Sequence, residues 1–246
     1  MTKRGTYPRL GLHGEVVHTI GVRILRGELK PGDPLPAEEE LSADHSVSRT
    51  VLREAVRVLA AKGLVQARPK TGTRVRPRSE WNIADPDVLA WRVEAGPDRE
   101  LYEQVTEVRM GIEPQAARLA AARAVDEEIT AIGAAFAGME ASVKDQAAYL
   151  AADLLFHDRI LSACHNELLG HLGSVLRAVF RTTFEFTTSS PTSRRRALPL
   201  HRAILEGIAA RDGDAADTAT RNLIADTAAD IRRSATRRQK LATNAR

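Results

Sequence analysis

Apolar residues recur with helical spacing along most of the chain, and one short stretch breaks the rule. From Gly14 to Arg26 the pattern predicts a helix with Val17, Ile20 and Ile24 buried and Gly27 after its end. Between Leu35 and Val75 it predicts two short helices and a β-hairpin. In the second helix Leu52, Ala55, Val56 and Leu59 stand at i, i+3, i+4 and i+7. Ser48 is placed to cap its first turn, and Gly63 stops it. Leu64-Val65 and Arg74-Val75 are β-prone runs around a basic turn, Arg68 to Thr73, with glycine at its tip. Residues 77–100 read as a linker in which Asp85-Pro86 starts a short helix and Trp81, Leu89 and Trp91 pin the segment to a domain.

From Leu101 onward the pattern is helical throughout. The first helix, Leu101–Ala122, carries Val105, Val108, Ile112, Ala116 and Leu119 as its stripe, with a kink expected at Pro114. Asp126–Met139, Asp145–Cys164 and Glu167–Phe186 follow. A loop Thr187–Ser193, a helix Arg194–Arg211 interrupted at Pro199, and a helix Asp214–Ile231 complete the series. Residues 1–13 read as disordered and 232–246 as a frayed basic tail.

Charge sharpens this division. Residues 1–80 hold 15 Lys+Arg against 9 Asp+Glu, residues 81–231 hold 15 against 23, and residues 232–246 hold 6 against none. The basic N-terminal part attracts a polyanion and the acidic middle does not. Arg49, Arg53 and Arg57 at i, i+4 and i+8 form one face of the capped helix, beside the basic turn. Such a face is either solvated charge, with Glu54 pairing locally, or a surface that enters a DNA groove. Cys164 is the only cysteine, which excludes an internal disulfide and a thiolate metal cluster. No run approaches the ~18 apolar residues of a membrane span, and MTKRGTYPRL has no signal-peptide core. A cytoplasmic protein is expected.

The segment PAEEELSADHSVSRTVLREAVRVLAAKGLV with TGTRV resembles the winged helix-turn-helix of the GntR transcription regulators. The resemblance implies DNA contacts from Arg49 and Arg53 on the helix and from Thr71 and Gly72 at the wing tip; Ser48, Thr50, Arg57 and Lys70, on the same helix and basic turn, are expected to join them. Glu39 departs from the pattern, standing where several relatives carry a DNA-contacting arginine. EVRMGIEPQAARLAA, ADLLFHDRILSACHNELL and LHRAILEGIAARDGDAA resemble the FCD effector-binding domain of that family's fatty-acid-regulator branch. WNIADPDVLAW resembles the galactonate operon repressors within it. The expected fold is mainly α: a winged helix-turn-helix over 14–76, the linker 77–100, and an all-α bundle of about six helices over 101–231 that also dimerises.

Three polar residues fall on apolar stripes of the second half. Asp153 and His157 lie one turn apart, among Tyr149, Phe156, Ile160 and Cys164. His201 shares a stripe with Ile204, Leu205 and Ile208. Buried polar groups need partners. These either pair with one another or hold a divalent metal of the zinc, nickel or manganese class. Metal-binding FCD domains use an aspartate and three histidines; Asp153, His157 and His201 match three, and the fourth falls at Leu223, with Asn222 beside it. The site is therefore a three-ligand metal site or a metal-free one whose polar groups bind the effector. Arg109 alone reads as an arginine at a helix edge. The resemblance instead makes it the clamp for a carboxylate effector, a role its forked guanidinium suits. Arg177, Arg181, Arg202 and Arg194-Arg195-Arg196 read as surface charge. No catalytic constellation stands out.

The function expected is a DNA-binding transcription regulator, a repressor, that binds a palindromic operator as a homodimer and answers to a small carboxylate such as a sugar acid. A helical metalloenzyme built on Asp153, His157 and His201, and a metal sensor without an organic effector, are the alternatives.

Overall fold

The computed structural model describes residues 11–68, 72–96 and 98–244. The chain divides into two compact units, Met1–Asp98 and Arg99–Arg246.

In the first unit α1 (Leu12–Leu25), α2 (Glu38–Asp44) and α3 (Arg49–Ala61) precede the hairpin β1 (Val65–Arg68) and β2 (Gly72–Val75). Helix α1 thus begins inside the stretch read as disordered, and residues 1–10 lie outside those described. The stripe residues Val17, Ile20, Ile24, Leu52, Ala55 and Leu59 are all buried in one core, with Val56 at its edge. The strands pair antiparallel, Val65 opposite Val75 and Arg68 opposite Gly72. Gly63 ends α3 at φ +75°, and a Cβ there would lie 2.4 Å from the Glu80 carbonyl. Only glycine meets both conditions.

The segment read as a linker is part of this unit. Asp85 caps α4 (Pro86–Glu94), accepting from the backbone N–H groups of Asp87 and Val88, with Pro86 in the first turn. Trp91 packs so closely on α1 that a Cβ at Gly21 would come within 2.4 Å of its ring. Trp81 donates its indole N–H to the Arg76 carbonyl at 2.9 Å. Lys62, just past α3, donates to Asp85 at 2.9 Å and to Asp87 at 2.5 Å, and lies 5.7 Å from the centre of the Trp91 ring. Burial alone would push its pKa down; Asp87 and Asp85 outweigh that and hold it above the usual lysine value.

The second unit holds α5 (Arg99–Arg123), α6 (Asp126–Ala141), α7 (Gln146–Ala163), α8 (Glu167–Thr187), α9 (Pro191–Ala209) and α10 (Gly213–Asn244). Helix α10 packs along α5 and α9, and α6 along α7. Ala116, Ala117, Ala120 and Ala121 give α5 the small face on which Phe136, Tyr149, Phe156, Ile204 and Ile208 close the core.

Several expectations need correction. Helix α9 starts at Pro191, not Arg194, because Ser190 accepts from Ser193 N–H as its cap. It runs through Pro199 without a break. Packing of His201, Ile204 and Ile208 into the core outweighs the one helical hydrogen bond a proline removes. Helix α10 continues through the expected tail to Asn244. On α5 Val105 and Ala116 are buried as expected and Ile112 and Leu119 pack at the edge of the core, but Val108 is 40% exposed, whereas Arg109 is 1% and Glu113 4% exposed.

Lys62→Met keeps the stem over Trp91 but removes the ammonium that two carboxylates face. With Asp85 partly exposed, the cost should be about 2 kcal/mol in urea unfolding of the whole chain. Lys62→Arg should recover part of it, and a neutral Lys62→Met would show that the cluster does not hold α4 in place.

Candidate functional site

Helix α3 presents its arginines outward. Ser48 accepts from Val51 N–H and fixes where the helix begins. Side chains of Arg49, Arg53 and Arg57 are 63%, 65% and 76% exposed. Each meets a carboxylate: Arg49 donates to Glu39 at 2.8 Å, Arg53 to Glu38 at 3.2 Å, and Arg57 to Glu54 at 2.5 Å. Thr50 is exposed beside them. Gly72 opens β2 at φ +78°, next to the tip of the wing. Lys70 and Thr71 lie outside the described residues.

The second unit contains a buried polar cluster. Arg109 sits on α5 among aromatic rings, its guanidinium carbon 4.5 Å from the centre of Phe184. It donates to both oxygens of Glu113, Nε at 2.6 Å and Nη2 at 3.2 Å, while Nη1 is buried with no hydrogen-bond partner among the described residues. His157 on α7 directs Nδ1 at Glu113 Oε2, 3.1 Å away, and Nε2 at Asp153 Oδ1, 3.4 Å away. His201 on α9 directs Nδ1 at the Ala197 carbonyl, 2.9 Å away, and Nε2 at the same Asp153 Oδ1, 3.2 Å away. A carbonyl and a carboxylate only accept, so each Nδ1 carries a proton. In the neutral rings both Nε2 lone pairs then face one carboxylate oxygen. Neither His201 Nε2 nor Asp153 Oδ1 has a hydrogen-bond partner among the described residues, despite their separation of 3.2 Å. One ligand atom from each of Asp153, His157 and His201 lies within 4.8 Å of the others.

The cluster opens on a cavity of about 30 Å³, whose wall includes Arg109, Asp153, His157, His201, Thr188 and Leu223. That is room for an ion or a water; a larger ligand requires the wall to move. Electrostatics follow from the pairing. Burial would raise the pKa of Glu113, but Arg109 and His157 outweigh it and bring it down to about 2. Asp153 is likewise held below the usual carboxylate range: burial opposes this, and His157 and His201 overcome it. His157 is pushed up to about 9; burial works against this, and Glu113 and Asp153 prevail.

Two family models match the chain: bacterial regulatory proteins of the gntR family over residues 12–75, and the FCD domain over residues 104–226. The galactonate operon transcriptional repressor of Escherichia coli (strain K12) is 37% identical over 85% of this chain and 92% of its own. The chain belongs to the GntR family, in its FCD branch. The HTH-type transcriptional regulator YieP of the same organism is 36% identical over 83% of this chain and 89% of its own. The fold matches that of Lar, which controls the expression of the Listeria monocytogenes agr system, with TM-score 0.59 at 19% identity over 93% of this chain and 99% of that one. The protein is a transcriptional regulator of GntR/FCD type, not an enzyme.

Within this GntR/FCD chain the structure brings Arg109, Asp153, His157 and His201 together. It does not bring Asn222, which is exposed; one residue is about 100° around a helix, so α10 turns Leu223 inward instead. Arg194 is buried rather than surface charge, donating to the carbonyls of Val143 and Thr188. Arg196 lines the cavity and pairs with Asp226 at 3.1 Å. Sequence reading passed over Glu113, although it stands in the same E-V-R-x-x-x-E-P motif as Arg109, at the i+4 position where an ion pair forms.

A lowered carboxylate pKa means stability that is present above the unfolded value and lost as pH falls through the folded one. For Glu113 that window runs from 4.5 down to about 2. The chelator-treated chain should lose stability across this window more steeply than Glu113→Gln does, by an amount on the order of a few kcal/mol. Parallel urea-midpoint profiles for the two proteins would contradict the pairing.

Proposed function

We propose that this regulator is a repressor whose hold on a palindromic operator is controlled by a small carboxylate bound with a divalent metal in the second unit. The observation that carries the reading is the convergence of His157 Nε2 and His201 Nε2 on Asp153 Oδ1, with both Nδ1 atoms already committed elsewhere. With both rings neutral, two lone pairs and a carboxylate oxygen would face one another, an unfavourable set relieved either by the proton that His157, pushed up to about 9, holds or by a divalent cation in its place; Glu113 and Ala197 orient the rings as outer partners commonly do. The donor set fits zinc, nickel or manganese. A divalent ion held there would supply a Lewis-acid point for an oxygen of the effector. Arg109 contributes the unpartnered Nη1 to the carboxylate. The name of the Escherichia coli relative makes galactonate and related sugar acids the first effectors to try.

The DNA half rests on exposure. Ion pairs between exposed side chains are worth about 0–1 kcal/mol, so Glu38 and Glu39 yield Arg53 and Arg49 to phosphates or guanine edges at little cost. Ser48, Thr50, Arg57 and the wing, Lys70 to Gly72, complete the contact surface. Homodimerisation through the second unit doubles these contacts on a two-fold operator.

Arg53→Ala should cost about 1–3 kcal/mol in operator affinity and relax base preference at one position of each half-site. Gel retardation at fixed salt on DNA upstream of the chain's own gene measures this, with light scattering expected to show twice the 26.8 kDa chain mass. Unchanged affinity would remove Arg53 from the interface.

For the metal, zinc, nickel or manganese added to chelator-treated protein should raise Tm, and Asp153→Ala should abolish the shift. If none of the three ions shifts Tm or binds in calorimetry, the cluster is a metal-free hydrogen-bonded site.

A further inference from the structure

Glu39 puts a carboxylate on the surface that the proposed reading lays against DNA. Its Oε1 accepts from Arg49 Nη2 at 2.8 Å, and its side chain is 78% exposed beside an arginine 63% exposed. Every phosphate repels a carboxylate there, so a face that only held a polyanion would be better without it. We infer that Arg49 and Glu39 act as one unit that reads a single G·C base pair in the major groove, Arg49 on the guanine and Glu39 on the amino group of the cytosine. The inference rests on the DNA reading proposed above and gives it a second reading residue and a base.

The backbone brings the pair together. Glu39 lies in the first turn of α2, and Arg49 opens α3. Between them Ser42 Oγ donates to the Val47 carbonyl, Ser46 takes a left-handed φ of +52°, and Ser48 caps α3. These contacts fix the turn that sets the start of α2 beside the start of α3.

The major-groove edge of a G·C pair presents two acceptors on guanine, O6 and N7, and then the N4 amino donor of cytosine. O6 and N4 are hydrogen-bonded to each other across the pair, so acceptor and donor stand about 3 Å apart. Arg49 Nη2 and Glu39 Oε1 have the same spacing and the opposite polarity. The guanidinium has further N–H groups for O6 and N7, and the carboxylate has lone pairs for N4. The bond between Arg49 and Glu39 therefore survives on this base pair. Exchange for A·T leaves one purine acceptor in place of two and turns the thymine O4 towards the carboxylate. Reversal to C·G sets the guanine acceptors against Glu39. A phosphate offers no such fit, because Arg49 must then give up Glu39 or bring a second anion beside the first. Glu39 thus penalises non-specific duplex and rewards one base pair. Acidic residues in the first turn of α2 also suit that helix's dipole, but Glu38 and Glu40 serve it equally, and that role acts on stability rather than on base preference.

The test uses the full chain to select duplexes from a randomised pool. If none is enriched, the DNA reading fails and this inference with it. Otherwise affinities are measured at fixed salt for the selected duplex, its single base-pair exchanges and a shuffled duplex. The position whose base preference Arg49→Ala removes should be G·C in each half-site. Its cytosine is then replaced by N4-methylcytosine, which keeps the pairing and the guanine acceptors but blocks the amino hydrogen in the groove. That change should weaken wild type roughly tenfold and Glu39→Ala by about twofold or less. Glu39→Ala should also narrow the ratio of selected to shuffled affinity, by roughly tenfold. With a duplex selected, the inference is overturned if Arg49→Ala removes no preference or one for another base pair. It is overturned equally if N4-methylcytosine costs wild type and Glu39→Ala alike, or if Glu39→Ala keeps the wild-type ratio. If Glu39→Ala does not fold, the N4-methylcytosine penalty on wild type decides alone.

Discussion

A guanidinium 1% exposed in the middle of a helical bundle must be neutralised, and most of the second unit's polar architecture follows from that. Arg109 is satisfied by Glu113 one turn along α5 and is faced by Phe184 and Phe180. Glu113 in turn binds His157, which reaches Asp153, which reaches His201. The chain of contacts ties α5, α7 and α9 together at one level of the bundle. Yet buried ion pairs are a poor way to make a bundle stable; well-packed apolar side chains of the same volume often do as well or better. A network that leaves Arg109 Nη1, Asp153 Oδ1 and His201 Nε2 without a hydrogen bond among the described residues is worse still as a stabilising device. On the proposed reading, the ion and the acid are what complete it.

The first unit uses the same chemistry at two depths for two ends. Lys62 with Asp85 and Asp87 is largely buried, so separating the ammonium from the two carboxylates is costly, and the cluster makes α4 part of the DNA-binding unit. Arg49 with Glu39 and Arg53 with Glu38 are exposed, and water can replace either partner. Burial, not the count of ion pairs, separates what is fixed from what is free to exchange partners.

Elements whose signal is local were legible in the sequence. The stripe of α3, its Ser48 cap and the Asp85-Pro86 start of α4 each depend on a few neighbouring residues. The inward placement of Asp153, His157 and His201 was legible because apolar neighbours flanked them at helical spacing. What escaped depended on tertiary packing. By hydropathy Val108 belongs on the stripe and Arg109 beside it; only the partners on the neighbouring helices turn Arg109 inward and leave Val108 exposed. Pro199 breaks a helix by propensity but not one whose other residues are anchored in a core. Arg194 reads as one of three surface arginines, and its burial is set by the carbonyls of Val143 and Thr188 that it happens to meet.

Leu223 gains its meaning from the same geometry. It stands where the resemblance places a fourth metal ligand, and it lines the cavity with Asp153, His157 and His201. A closed tetrahedral site holds its metal for structure, whereas a site with three protein ligands keeps positions for exchangeable ones. On the proposed reading, an apolar side chain at the fourth position lowers the intrinsic affinity for the ion and raises the share of coordination left to the effector. Ion and acid then stabilise each other by the same coupling free energy, whichever binds first. The cost of losing one ligand is a weaker ion site, and its consequence is a regulator in which the acid, rather than the metal alone, decides when the cavity is filled.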